Sequence, residues 1–257
     1  MVKTAIQLYT LRHIEESVPE IVTRVGESSF DGVEFWAAHL EAFEDESVIE
    51  ETAAALDETG LEVAGWHLGA DSIEEEFDRL VEICDAVGCE TLVVPTYDSE
   101  QFQTREGVEG AADRLAGLAA DLDEHGIDLL YHNHTFEFGE IEGGVAFEAF
   151  VETADGRFEF EPDVGLATHA GYDALDLLDL VGEQEPVVHL TDANPDDSDA
   201  LHANVGTGVV DVDACAKKAA EYGAEWLVCE NGVTEDSLEA LEHGSVAFAE
   251  LRDELDS

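Results

Sequence analysis

Side chains suited to metal ligation or proton transfer stand at the ends of short apolar runs. Glu34 and Trp36 end GVEFW (32–36), and His67 lies at the end of LEVAGWHL (61–68). His132 and His134 close DLLYHNH (128–134), with Glu137 just beyond. Asp163 ends RFEFEPD (157–163), His189 and Asp192 fall in PVVHLTD (186–192), and Glu230 ends EWLVCE (225–230). Alone, each has a bland reading: a strand-end histidine is more often a hydrogen-bonded core residue than a ligand, and Glu34 in so acidic a chain reads as a solvated loop acid. The grouping changes this. Carboxylate oxygens with imidazole nitrogens and no thiolate suit one divalent metal ion, Mn, Mg, Co or Zn, with a lean toward Mn or Mg. Beside such an ion, a carboxylate can remove and return a proton next to a carbonyl. Alternation along a strand puts His132 and His134 on one face and Tyr131 and Asn133 on the other. The same rule puts Glu159 and Glu161 on the face of Asp163, deep in the fold unless Pro162 shifts the register.

The elements that must deliver these groups to one place are legible in outline. Together with TAIQLYT (4–10) and TLVVP (91–95), the runs above make eight strand-like segments. Between them, segments such as VPEIVTRVGES and EEEFDRLVEICDAVG carry apolar residues at helical spacing. Gly60, Gly88, Gly126 and Gly223 each stand where a helix should end before the next strand. Strands alternating with helices pair in parallel. The expectation is α/β, a single (β/α)8 TIM barrel over residues 1–257, close to the ~250 residues typical of that fold, with its site at the C-terminal strand ends. A doubly wound open sheet is the rival, but no G-x-G-x-x-G follows the first strand. The stretch NPDDSD (194–199) reads as a loop after strand seven.

Charge narrows the class of function. Asp and Glu number 63 against 10 Lys and Arg, a formal net charge of -53. That excludes nucleic acid as a partner, because its binders need basic patches. Regular apolar segments throughout argue against a disordered acidic chain. Acids on every expected helix read as adaptation to molar salt, as in a halophile, where the Debye length falls to ~3 Å. A cation-storing surface is the functional rival. The four cysteines lack zinc-finger spacing and read as buried free thiols. No membrane-length apolar run and no signal-peptide pattern are present, so a cytoplasmic enzyme without a membrane partner is expected. The sequence leaves oligomeric state open, a homo-oligomer included.

The motifs resemble those of the sugar phosphate isomerase/epimerase family, the xylose isomerase-like TIM barrels. The likeness runs through IQLYTLR (6–12), FDGVEFW (30–36), YHNHTFEF (131–138), PDVG (162–165), VVHLTD (187–192), VGTGVVD (205–211) and WLVCEN (226–231). YHNHxxEF and VHL-x-D are its most specific parts. The resemblance implies one divalent metal held by Glu, Asp, His and Glu from strands five to eight. Asp163, His189 and Glu230 match the last three; the first is His132 or Glu137, with a slight preference for Glu137. It further implies an isomerase or epimerase working through an enediolate, with Glu137 and Glu230 as the acid/base pair and His132 or His134 assisting. Expected substrate contacts are Glu34, Trp36, His67, Arg12 and Asp192. Thr191 and Thr207 stand where relatives often carry Lys and Glu. Only Arg12 and Arg105 fall on loops at the active end, too few for a phosphate clamp. An unphosphorylated sugar or inosose-like substrate is therefore preferred. The alternative is a keto-sugar or inosose dehydratase or lyase on the same scaffold. Apurinic endonuclease activity is disfavoured by the charge, and a non-enzymatic sugar- or metal-binding barrel completes the set.

Overall fold

Eight β-rich runs become strands β1 (Lys3–Gln7), β2 (Gly32–Phe35), β3 (Glu62–His67), β4 (Thr91–Val94), β5 (Asp128–His132), β6 (Glu159–Glu161), β7 (Val187–His189) and β8 (Trp226–Cys229) in the computed structural model, which describes residues 2–194 and 201–255. All are parallel, in the spatial order β6-β5-β4-β3-β2-β1-β8-β7. The two end strands meet through one bridge, Asp163 to His189, with His189 N donating to Pro162 O at 3.0 Å. Pro162 has no N–H to extend that ladder. The result is the expected (β/α)8 barrel.

Each strand leads to a covering helix: α1 (Val18–Val25), α2 (Glu46–Thr59), α3 (Phe77–Val87), α4 (Arg105–Asp123), α5 (Ala146–Ala154), α6 (Ala174–Val181), α7 (Val212–Tyr222) and α8 (Ser237–Leu255). On α4, Val108, Ala111, Ala112, Leu115, Leu118, Ala119 and Leu122 turn one stripe to the sheet. Asp45 caps α2 by accepting Ser47 N, and Gly60 ends it at φ +73°, a conformation costly for a residue with a Cβ. The strands end sooner than their apolar runs. In β1, the Gln7 side chain accepts Tyr9 N at 3.0 Å and turns Leu8–Leu11 into a 3-10 helix. Of the acidic stretch after β7, residues 195–199 lie outside those described.

The barrel interior changes character along its axis. Ala5, Val93, Leu130, Val187, Trp226 and Val228 form an apolar floor. The inward positions one step further on are Gln7, Glu34, His67, His132, Glu161 and His189, all buried. The larger core lies between sheet and helices, where Phe35, Phe43 and Trp66 meet edge to face. All four cysteines are buried and free. No described helix is long and apolar enough to cross a membrane.

Nine of the ten Lys and Arg residues sit against carboxylates, and the tenth, Arg12, binds backbone carbonyls. With 63 acids in the chain, most carboxylates have no basic partner, so the surface repels itself. The thermal midpoint is expected to rise steeply between about 0.1 and 3 M KCl, where screening shortens to ~3 Å. A midpoint flat across that range, read by circular dichroism, would remove the salt-adaptation reading. Glu185, at the foot of β7, is buried with neither carboxyl oxygen hydrogen-bonded. Burial, reinforced by Asp179, pushes its carboxyl from 4.5 up to about 9. Because the fold holds a proton that the unfolded chain releases, this residue erodes stability as pH rises through that window, by up to ~1.4 kcal/mol per unit. Glu185→Gln should raise the midpoint near pH 8 and flatten its decline between pH ~5 and ~9; an unchanged pH profile counts against a buried neutral acid.

Candidate metal centre at the barrel mouth

Two layers of polar side chains stack on the apolar floor. In the upper layer, His132, Asp163, His189 and Glu230 offer ligand atoms all within 4.8 Å of one another. His189 Nδ1 lies 3.2 Å from Glu230 Oε2 and 3.9 Å from Asp163 Oδ2. Asp163 Oδ2 and His189 Nδ1 are buried and have no hydrogen-bond partner. The other ring nitrogen of His189 is bonded below, its Nε2 being 2.7 Å from Glu34 Oε2. With the ring neutral and its proton there, Nδ1 keeps a lone pair, and Nδ1 with the two carboxylate oxygens makes a set of acceptors that a cation can take. Each buried unpartnered group costs ~1–3 kcal/mol. A cation bound at ~2.0–2.2 Å from each would satisfy all three.

Local structure aims these groups. Asp163 caps the short helix Val164–His169: its Oδ1 accepts Leu166 N at 2.7 Å and Thr191 Oγ1 at 2.5 Å, leaving Oδ2 to the centre. Asn133 exchanges hydrogen bonds with the Asp163 backbone, Asp163 N to Oδ1 at 3.0 Å and Nδ2 to Asp163 O at 3.2 Å. His132 points inward from β5 while Tyr131 packs outward against Phe102 and Phe150.

The lower layer is Glu34, Glu161 and His67. Glu161 Oε1 lies 2.7 Å from His67 Nε2 and 2.9 Å from His132 Nδ1, and Gln7 Nε2 donates to Glu34 Oε2 at 2.7 Å. Burial alone would drive the His67 pKa down, but Glu34 and Glu161 outweigh it and raise the pKa to about 10. Burial would raise Glu230, yet His189, His202 and His132 hold it well below the ordinary carboxylate range. His134, mainly through burial, falls to about 4 and stays neutral near pH 7.

A cavity of about 260 Å³ opens on this centre, lined by Tyr9, Trp36, His67, His134, His202 and Glu230 among others. A larger hollow of about 760 Å³ lies at the opposite end of the barrel among Glu62, Asp128, Glu159 and Glu225. No ligand cluster converges there among the described residues, and in barrels of this type that end serves stability.

Several expected site residues are placed otherwise. Glu137 is fully buried outside the cluster; Tyr131 Oη and His134 N donate to its two oxygens at 2.8 and 3.0 Å. Burial pushes its carboxyl up to about 7. Of the two expectations for the first ligand, the geometry brings in His132 and leaves Glu137 out. Asp192 is also spent internally, accepting Ala193 N, Val210 N and Gly208 N. Arg12 donates to Tyr9 O and Thr234 O and lies over the Tyr9 ring. Glu34 sits beneath His189 with no exposure. Trp36, His67 and His134 do line the cavity.

Alternation puts Glu161 deep in the barrel unless Pro162 shifts the register, and His202 is absent from the expected set. His202 accepts Gly232 N on Nδ1 at 2.9 Å and turns Nε2 toward Asp163 Oδ2, 3.6 Å away. Its only signal is a lone histidine in a loop, and no spacing rule picks that out.

A family profile described as a xylose isomerase-like TIM barrel matches residues 22–246. No curated protein matches the chain. Among solved structures, the IolI protein with a bound zinc atom is similar at a TM-score of 0.81 and 15% identity, covering 99% of each chain. The probable 3-DHS dehydratase AsbF of Bacillus anthracis has a TM-score of 0.78 and 13% identity, covering 96% of this chain and 99% of that one. D-psicose 3-epimerase from Clostridium cellulolyticum H10 has a TM-score of 0.74 and 15% identity, covering 99% of each. At such identities the likeness is one of fold.

Adding Mn, Co or Zn to metal-stripped protein should raise its thermal midpoint. The gain expected at 100 times Kd is ~2.7 kcal/mol. Asp163→Asn, which keeps an oxygen for the helix cap, should lose most of that gain. An equal metal-induced shift in parent and variant would place the ion elsewhere.

Proposed function

The chain belongs to the xylose isomerase-like TIM barrel family, and from that premise we propose a metal-dependent isomerase or epimerase that moves a proton on a small polyhydroxylated carbonyl compound. What carries the reading is the set of unpartnered acceptors, Asp163 Oδ2 and His189 Nδ1 with Glu230 beside them, at the wall of a cavity. His132, Asp163, His189 and Glu230 would hold the ion. Once bound, a divalent ion polarises a substrate carbonyl and stabilises the negative charge that develops as its neighbouring C–H is broken.

The chain's own residues supply the rest. Glu230 stays ionised, borders the cavity and accepts the substrate proton. His202, with Nδ1 occupied by Gly232 N–H, presents an Nε2–H to a substrate oxygen. Glu230, once protonated, returns the proton, and His134, neutral on the same wall, can relay one by accepting it on one ring nitrogen as it releases that on the other. Tyr9 and Trp36, edge to face at 5.0 Å, form an apolar wall suited to the C–H face of a sugar. No Lys or Arg lines the cavity among the described residues, and PDDSDA (195–200) contributes none. An unphosphorylated sugar or inosose-like compound fits better than a sugar phosphate.

Dehydration of a keto-sugar or inosose is the second reading, and the donor set favours it. The cavity wall carries one carboxylate, Glu230, against four imidazoles: His67, His132, His134 and His202. An imidazolium can protonate a departing hydroxyl, which a second ionised carboxylate cannot.

The test is a panel of sugars and inososes in molar KCl with Mn, Mg or Co, with NMR following uptake of solvent deuterium at carbon. Exchange without loss of water supports isomerisation or epimerisation, and a dehydrated product supports the second reading. Glu230→Gln, with bound metal measured in the same sample, should slow exchange by ~10²–10⁴-fold. Exchange at the parent rate in that variant would remove Glu230 as the base.

A further inference from the structure

We propose that Glu34 and Glu161 are positioning residues whose carboxylates, beneath the candidate metal centre, fix the tautomer and aim of His189 and His132. Glu34 Oε2 lies 2.7 Å from His189 Nε2, and Glu161 Oε1 lies 2.9 Å from His132 Nδ1. Both carboxylates have no solvent exposure, so neither is available to substrate. A carboxylate accepts only, so each pins a proton on the nitrogen facing it and leaves the ring's other nitrogen bare. For His189 that bare nitrogen is Nδ1, which faces Glu230 and Asp163; for His132 it is Nε2.

The supports of this lower layer are visible. Gln7 Nε2 donates to Glu34 at 2.7 Å, and His67 Nε2 spans Glu161 at 2.7 Å and Glu34 at 3.1 Å. Gly65 leaves Glu34 room, since a Cβ there would stand 2.9 Å from Oε1.

The rival is a second cation in the lower layer, because His67, His132, Glu161 and His189 also bring ligand atoms within 4.8 Å. Spacing decides between them. The shortest lower-layer contacts, 2.7, 2.7 and 2.9 Å, are hydrogen-bond lengths with hydrogen-bond geometry. The upper contacts, at 3.2 and 3.9 Å, leave Asp163 Oδ2 and His189 Nδ1 without a partner; in the lower layer Glu34 Oε1 and Glu161 Oε2 also lack one, but the oxygens that face the histidines are all hydrogen-bonded. Protons therefore occupy the lower layer and a cation the upper. Such carboxylate partners typically change metal affinity by ~10–100-fold.

This inference rests on the reading that the upper layer binds a divalent ion, and Co²⁺ titration of the full chain tests the two separately. Visible absorption follows binding, and elemental analysis counts ions per chain. The parent should bind one Co²⁺. Glu34→Gln and Glu161→Gln should each keep that stoichiometry, bind ~10–100-fold more weakly and show a shifted visible spectrum. Their metal-free thermal midpoints should match or exceed the parent's, which a general loss of fold would not allow. Unchanged affinity and spectrum in either variant removes that residue's role while leaving the metal reading intact. Two ions in the parent, falling to one in Glu161→Gln, would make the lower layer a second cation site and overturn the proposal. No Co²⁺ bound by the parent would overturn both readings together.

Discussion

Four buried carboxylates, Glu34, Glu161, Asp163 and Glu230, crowd one half of the barrel interior, and the rest of the site answers that repulsion. Removing a charge from water costs several kcal/mol unless it is paired and hydrogen-bonded. Lys and Arg are not what pairs them. His67, His132, His189 and His202 do, with Gln7 and a capped helix terminus in support. Imidazole suits the task because one ring can give a proton on one side and a lone pair on the other. His189 does this most completely, facing Glu34 with one nitrogen and the acceptors of the upper layer with the other. The apolar floor and the rigid strands keep water from relaxing the arrangement.

Much of this was legible in the residues. The βα alternation, helix-ending glycines and strand-end ligands gave the barrel and brought Asp163, His189 and Glu230 to one rim, because strand period and fold topology are local rules applied repeatedly. What escaped depends on contacts far apart in the chain. Glu137 looked like a ligand from its motif, but its oxygens are claimed by Tyr131 and His134 through a 3-10 turn (Phe136–Phe138) that alternation does not predict. Arg12 and Asp192 looked free for substrate because their partners, backbone groups of Thr234 and of Gly208 and Val210, carry no sequence signature. Alternation turns Glu161 inward only if Pro162 keeps the register, and its place in the site becomes evident only once His67, ninety-four residues away in the chain, is set against it.

Scarcity of basic residues shapes the outside and the inside alike. On the surface, nine of the ten guanidinium and ammonium groups are committed to ion pairs, such as Arg114 with Asp71 and Glu74, and Arg157 with Asp113. None lines the mouth cavity. A barrel whose mouth cavity holds no Lys or Arg among the described residues is poorly equipped to clamp an anionic substrate group.

The barrel's seam lies where its chemistry does. Every neighbouring pair of strands is laddered except β6 and β7, which touch through the Asp163–His189 bridge next to a proline. The side chains of those two residues also converge on the candidate ion. An ion gripped by both would act as the rivet of a hoop at its one weak joint. Emptying the centre and slackening the hoop would then be a single event, so the protein's mechanical integrity and its readiness to react would be governed by the same bond.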